Sequence, residues 1–579
     1  MSDAALAQRP GGPRLRGRAL PWAPALTLAV MLGPVAAGLA GTVGPAFGWM
    51  PALGGHTLTF EVMRGLFDWP GLTRAALLSV GVGFAATALS LAAVALIVAG
   101  WRGTRAFGAM ERALSPLLSV PHAAAAFGLA FLIAPSGWVA RALSPWATGW
   151  ERPPDLLTAQ DPAGVALTLG LVAKEIPFLL LMTLAALAQA RSAQGATTAR
   201  ALGYGRVTGW LKAVFPQVYR QIRLPVYAVL AYSMSVVDVA MILGPSTPPP
   251  LSVQVVRWMG DPDLALRFRA AAGALLQLAL VLAALGVWRL GEIAVGRLGR
   301  RWAEGGGRGA PAVETALRLA GLAAGLLAAL AVFAGLAGLA VWSVAGFWTF
   351  PDALPDALTL RTWERHGPRL GALLAETALI GAAATVLAML LTVACLEAEH
   401  RHGLRPAQRA LWLLYLPLIA PQVAFLTGFQ TLALVVGLDG GRAAVIVAHL
   451  VFVLPYVFLS LADPWRAWDG RFDVAARALG AGPDRVLWAV RLPMLLRPLL
   501  TAGAVGFAVS VGQYLPTLLV GGGRVQTVTT EAVALASGGD RRLIGVHALA
   551  QAAAALVPFL AAVLLPRLIW RDRKALRHG

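Results

Sequence analysis

Of 579 residues, 58% are apolar and only 13% are charged, against roughly a quarter charged in soluble domains, and mean hydropathy is +0.70. This excludes a water-soluble globular fold. The formal charge of +20 would suggest nucleic acid in a soluble protein, but the bases lie in short loops between apolar runs, without interleaved aromatics to stack on bases. One cysteine, Cys395, cannot form an internal disulfide, and the eight histidines lack the HExxH spacing that places two imidazoles on one helix face. No metal site is expected.

A bilayer core about 30 Å thick takes roughly 20 residues of helix. Apolar runs of that length fall at 24–46, 74–100, 114–134, 164–190, 224–244, 270–288, 319–346, 371–396, 410–434, 443–462, 498–520 and 543–566. An all-α integral membrane protein of about twelve transmembrane helices is expected. The first run follows Arg9, Arg14, Arg16 and Arg18. Small residues at Ala36, Ala37 and Ala40 resemble a signal-peptidase site, but the run's length fits an uncleaved first helix better. Most of the 48 Arg and Lys lie in loops on the N-terminal side, which predicts that both termini are cytoplasmic. Lys174, Glu175, Asp238 and Glu376 fall inside runs, where each would cost roughly 2.5–3.5 kcal/mol facing lipid. They are expected to face the protein interior. Lys174 and Glu175 are adjacent and so about 100° apart on a helix, which argues against a mutual pair. Lys174 is left to bond carbonyls of a neighbouring helix or to line a pathway. Pro121-His122 and Pro421-Gln422 mark runs three and nine, as Pro177 and Pro455 mark four and ten.

The chain also reads as an internal duplication. Arg112-Ala113-Leu114 and Arg409-Ala410-Leu411 precede runs three and nine at an offset of 297, and later landmarks repeat at 277, the change being absorbed by a longer outer loop at 135–163. The expected plan is a cytoplasmic tail (1–23), a first six-helix module (24–290), a flexible Gly-rich cytoplasmic linker (291–316), a second six-helix module (317–566) and a basic cytoplasmic tail (567–579).

The loop between runs four and five reads Thr197-Thr198-Ala199-Arg200-Ala201-Leu202-Gly203, with Pro216 thirteen residues after the glycine. Between runs ten and eleven stands Val474-Ala475-Ala476-Arg477-Ala478-Leu479-Gly480, with Pro493 at the same distance. Ala, Arg and Leu are strong helix formers, and the glycine can take the left-handed conformation that ends a helix. A proline then suits the start of the next element. Each loop is predicted to be a short helix, a turn and a second short helix. The positive-inside bias alone would supply bases here, but not a matched Gly-to-Pro spacing. Such a knuckle, rigidly joined to a spanning helix, suits docking into a partner's groove.

The pattern resembles the EAA loop of permease subunits in binding-protein-dependent ABC importers, and the two six-helix halves resemble the fused permeases of the iron(III), thiamine and sulfate importer class. The resemblance implies a type I importer permease fold in the bacterial inner membrane. It also implies coupling to a dimeric ATPase through Ala199, Arg200, Gly203 and Pro216 in the first loop and Asp473, Ala476, Arg477, Gly480 and Pro493 in the second. The family's acidic position holds Thr197 and Val474, with Asp473 one place early, and Phe215 replaces the leucine before Pro216. ATP and Mg belong on that separate ATPase: none of Lys174, Lys212 and Lys574 follows a glycine, as a GxxxxGK[ST] phosphate loop requires. No cofactor is expected on this chain. The other implied partner, a secreted or periplasmic solute-binding protein, is expected at the outer loops, where Pro248-Pro249-Pro250 and Gly521-Gly522-Gly523 with Thr527 to Thr530 predict irregular chain.

Asp238, in Ser235-Val236-Val237-Asp238, and Gln513, in Ser510-Val511-Gly512-Gln513, hold matching positions in runs five and eleven. With Tyr514 and Glu376 they are expected to line the translocation path, inert interhelical hydrogen bonding being the other reading. The interior acids favour a cation such as thiamine or ferric iron over an oxyanion. Two other classes stay open. An ion-gradient-driven secondary transporter has no use for paired loops, and a lipid-modifying membrane enzyme would need carboxylates or histidines gathered at one face.

Overall fold

The computed structural model describes residues 20–569 except 190, 191, 405–407, 436, 438, 439 and 539. Most of both expected tails therefore lies outside the described residues. The first half runs α1 (Ala23–Ala46), α2 (Leu72–Trp101), α3 (His122–Ile133), α4 (Val165–Gln189), α5 (Ser192–Ala201), α6 (Arg206–Ala213), α7 (Phe215–Ser235), α8 (Asp238–Leu243), α9 (Leu251–Met259) and α10 (Leu266–Glu304). The second half repeats this order with α11 (Pro311–Ser343), α12 (Arg361–His402), α13 (Gln422–Val435), α14 (Arg442–Arg466), α15 (Arg471–Ala478), α16 (Leu496–Val511), α17 (Leu515–Gly521), α18 (Val528–Leu535) and α19 (Arg541–Ile569). Among the described residues the β pairing consists of two isolated bridges, Met50–Gly55 and Ala345–Leu358, in the turns after α1 and α11.

Nine described helices are long and apolar enough to cross a membrane, or eleven if each of two bent pairs counts as one span. The remaining expected crossing is α7 with α8, whose first turns carry Arg220 and Arg223.

Four runs expected as continuous helices are broken. In run three a 3-10 turn, Ser115–Ser119, leads to Pro121, which opens α3. In run nine Trp412–Ile419 meets Gln422–Leu434 at 87°, with Pro421 at the corner. The residue before a proline is pushed out of the helical region, and proline has no N–H to continue the ladder. Run five stops at Ser235, where Val236 turns extended (φ −61°, ψ 137°) before α8 begins at Asp238. Run eleven stops at Val511 and resumes at Leu515. By contrast, α4 and α14 run through Pro177 and Pro455 without interruption.

Two other expectations are corrected. The linker expected at 291–316 is helical to Glu304 and again from Pro311, so the irregular segment is 305–310. The outer loop after Gly523 folds into α18, where Thr527 and Thr530 form a reciprocal capping box, and Pro250 likewise leads into α9. A capping residue followed by good spacing overrides the turn signal of the glycines.

The halves exchange their first helices. α1 packs along α13 of the second half, and α11 packs along α3 of the first. Glycines make both crossings close: a Cβ on Gly38 would lie 2.1 Å from the Phe425 carbonyl oxygen, and one on Gly335 would lie 2.8 Å from the Gly128 carbonyl carbon. Gly38 and Gly335 are equivalent in the repeat, as are Gly128 and Gly428. Small residues let helix backbones approach where lipid provides no hydrophobic drive for association. Thr42 Oγ1 adds a hydrogen bond to Thr427 Oγ1 (3.0 Å) and accepts from Gly428 N (3.1 Å). On the opposite end of α11, Arg141 of the long 135–163 loop donates to the Asp352 carbonyl (2.8 Å) and lies 4.6 Å from the Trp348 ring centre, tying this loop to the other half.

Gly428→Leu is expected to lower stability by about 1–3 kcal/mol or to prevent assembly, because overpacking a backbone crossing has no rotamer solution. Gly81→Ala, where added atoms meet open space, should leave the thermal midpoint in detergent unchanged; equal shifts from the two would contradict the crossing.

Candidate functional site

Each loop singled out by sequence folds as a helix, a left-handed glycine and a second helical turn. Gly203 has φ +79° and Gly480 φ +82°, a conformation that costs any residue with a Cβ. The backbone bonds that close the two turns are the same. Gly203 N donates to Arg200 O (3.0 Å) and Tyr204 N to Ala199 O (3.1 Å); Gly480 N donates to Arg477 O (2.9 Å) and Ala481 N to Ala476 O (3.0 Å). The repeated Ala-Arg pair thus supplies the carbonyls of a Schellman turn. Pro216 stands in the first turn of α7. Pro493 differs: it follows a π-helical turn, Leu487–Arg491, and lies in a three-residue helix before α16.

The two loops are held by different means. Asp473 pairs with Arg477 on the same face of α15 (3.0 Å) and faces His400 at 3.9 Å. Beneath it, Arg491, 2% exposed, binds Glu397 of α12 and lies 4.3 Å from the Trp468 ring centre. Arg401 bridges Glu397 (2.6 Å) and Asp484 (2.8 Å). Asp469, between α14 and α15, is held below the usual carboxylate range by the Arg471 side chain that donates to it at 2.8 Å. α15 buries none of its residues; Leu479 is 90% exposed and Val474 68%, while Leu202 of the first loop is 59% exposed. Neither Arg491 nor Glu397 was legible from spacing, since they meet over 94 residues of sequence.

The breaks in runs five and eleven free backbone groups that lipid cannot satisfy, and matched side chains take them up. Ser252 Oγ donates to Val236 O (3.2 Å), and Thr529 Oγ1 donates to the equivalent Val511 O. Gln277 Nε2 donates to Met234 O (2.9 Å), while Gln551 Nε2 donates to Thr529 Oγ1 (2.7 Å). Ser79 Oγ and Thr377 Oγ1 accept from Leu251 N and Val528 N, each at 3.0 Å. His449 spans the second break alone, with Nδ1 2.7 Å from Ser510 Oγ and Nε2 2.8 Å from Thr517 Oγ1. These residues were missed in the sequence, although the offset of 277 relates Ser252 to Thr529 and the other two pairs lie within three residues of the repeat offsets.

Three of the four expected path residues cluster here. Asp238 begins α8 at the first break and is buried; Gln513 and Tyr514 occupy the second. Tyr514 reaches across to Met241 of α8 (3.5 Å) and lies in the field of the Asp238 carboxylate. His122 and Tyr232 have rings 5.1 Å apart, and His122 Nε2 is 3.6 Å from Glu175. Glu376 is elsewhere: it forms an ion pair with Arg442 at the start of α14 (2.6 Å). Lys174 donates to Leu117 O and to Val120 O (2.6 Å), carbonyls of the turn before Pro121. Of its two sequence readings, bonding to a neighbouring helix is the one the structure displays.

No family model matches the chain. Over 525 residues it is 33% identical to the inner membrane ABC transporter permease protein YnjC of Escherichia coli K12, a match covering 90% of this chain and 93% of that protein. The chain belongs to the ABC transporter permeases. Shorter stretches of the permease resemble the molybdenum transport system permease protein ModB of Mycobacterium tuberculosis, 34% identical over 188 residues (29% of this chain, 70% of that protein). They also resemble the spermidine/putrescine transport system permease protein PotC of Haemophilus influenzae, 26% identical over 125 residues (22% and 49%). Membership in this family makes the permease a multi-pass transporter subunit and sets aside the gradient-driven carrier and the lipid-modifying enzyme.

Replacing Lys174 with Met should destabilise the permease by about 2 kcal/mol or more, because the Val120 carbonyl loses its ammonium donor and the Leu117 carbonyl keeps only the Val120 N–H. Glu376→Gln, whose partner Arg442 is 64% exposed, should cost under about 1 kcal/mol. Thermal unfolding in detergent compares them; a larger shift for Glu376→Gln would reverse the assignment.

Proposed function

We propose that this chain is the membrane-spanning permease subunit of an ABC importer, taking a cationic solute through the space between its halves while a separate ATPase pair drives the two glycine-turn loops. The observation that carries this reading is the repeated Schellman turn at Gly203 and Gly480, built from the same carbonyl and amide positions in both halves. Two like knuckles on a pseudo-twofold chain suit a twofold partner, and the exposed Leu202, Val474 and Leu479 offer it apolar contact. In this reading both loops and both termini are cytoplasmic, as the distribution of bases favours, and ATP and Mg stay on the ATPase. A secreted solute-binding protein delivers cargo at the opposite face.

The path runs past the paired helix breaks, where repeat-built transporters commonly place their sites. Asp238, Gln513 and Tyr514 line it, and Glu175 with His122 stands beside them. A cation is favoured because Asp238 and Glu175 bring carboxylates to this region, Glu175 facing His122, while Lys174 is engaged with carbonyls. Thiamine and ferric iron are the solutes the family resemblance suggests.

Changing both Gly203 and Gly480 to Val should strain both turns, so that solute uptake falls more than tenfold while helix content and protein level hold. Asp238→Asn should lower uptake at normal protein level. Wild-type uptake in the double variant would remove the coupling role, and wild-type uptake in Asp238→Asn would remove that residue from the path.

A further inference from the structure

The second helix of the first loop has no cap of its own. Its N-cap residue is Gly205, which offers no side chain, yet the first N–H groups of a helix need acceptors. Those acceptors come from the other half. Glu314, in the first turn of α11, takes Val207 N on Oε2 (2.7 Å), and Thr208 N (2.9 Å) and Thr208 Oγ1 (2.5 Å) on Oε1. Its carboxylate is 9% exposed and sits at the positive end of α6. The segment 305–310 completes the clamp: Gly205 N donates to Arg308 O (2.7 Å), Lys212 Nζ donates to Gly307 O (2.7 Å), and Lys212 lies 4.6 Å from the Trp302 ring centre. Further along α11, the Arg318 carbonyl accepts from Trp101 Nε1 (2.8 Å) at the end of α2.

The contrast with the second loop is local and specific. A Cβ on Gly205 would lie 2.4 Å from Glu314 Cδ, and one on Gly309 would lie 2.6 Å from Thr208 Oγ1, whereas the equivalent of Gly205 in the second half, Gly482, faces open space. The first loop is also the one whose sequence has no acid. A carboxylate is nevertheless present at its turn, contributed over a separation of 107 residues.

We propose that Glu314 is a positioning residue: it joins the first loop to α11, so that a thrust on that loop is delivered directly to a helix of the opposite half. This rests on the reading of the loops as ATPase docking sites. α11 runs from the loop to its glycine crossing with α3, so the clamp places loop and crossing on one lever. The second loop, fixed by Arg491 and Glu397 to α12 of its own half, moves its own half.

The test uses the full complex purified from its native membranes into lipid nanodiscs with the ATPase it carries. Gln513→Cys in a Cys395→Ala background reports opening of the path by its rate of thiol labelling, with and without ATP plus vanadate. The parent should show a labelling rate that changes at least fivefold with nucleotide. Glu314→Ala should speed hydrogen exchange at Val207 and Thr208 at least tenfold and cut the nucleotide response below twofold, with the ATPase still bound. Glu314→Gln, which keeps one acceptor oxygen, should recover part of that response; if the alanine variant does not assemble, this arm decides. A full nucleotide response despite fast exchange at Val207 and Thr208 overturns the positioning role and leaves the docking reading intact. Absence of any ATPase from the parent complex overturns both.

Discussion

A helix interrupted inside a bilayer leaves N–H and C=O groups that no water can reach, and each such group costs several kcal/mol if left alone. Every specialised feature of this permease is an answer to that constraint. The breaks at Val236 and Gly512 are tolerated because Ser252, Gln277 and Thr529 bond backbone carbonyls beside them, with Gln551 and His449 holding the hydroxyls of Thr529 and Ser510. Lys174 is tolerated for the same reason, since the turn before Pro121 supplies the carbonyls its ammonium needs. Charge and break, each prohibitive alone, stabilise one another when placed together.

The same logic extends to the loops. A glycine turn exposes carbonyls at the end of one helix and amides at the start of the next. The first set is closed by the turn itself and, in the first half, the second by Glu314. Rigidity of the knuckle is therefore not intrinsic to its short helices, which are too short to persist by propensity; it is conferred by the longer helices they touch. In the proposed coupling role, the bonds that satisfy the backbone are the ones that would carry force.

Much of this could be read from the residues. The apolar runs, the duplication, the left-handed glycines and the pairing of Asp238 with Gln513 follow from length, periodicity and the special freedom of glycine. What hydropathy could not register was backbone direction: Val236 and Val511 are as apolar as their neighbours, so run five and run eleven looked continuous. The partner of Glu376 could not be read, because burial cost says only that an acid needs one, and Arg442 lies 66 positions away. Ser252 with Thr529 was visible in principle, as polar residues recurring at the spacing of 277, and Gln277 with Gln551 falls three residues short of it. His449 was not, because the first half has no counterpart. Gly305 to Gly307 and the Arg- and Gly-rich stretch before them suggested a long flexible linker, while the chain on either side continues the adjoining helices.

The exchange of α1 and α11 between halves bears on how the chain is made. When the ribosome has finished the first six-helix half, α1 can lie only against α10, because the surface that receives Gly38 and Gly41 belongs to α13 and has not been synthesised. That stripe of small residues must wait in lipid until the second half arrives. Encoding both halves in one polypeptide keeps the wait short, fixes their ratio at one to one, and denies the unpaired helix the chance to join the wrong neighbour.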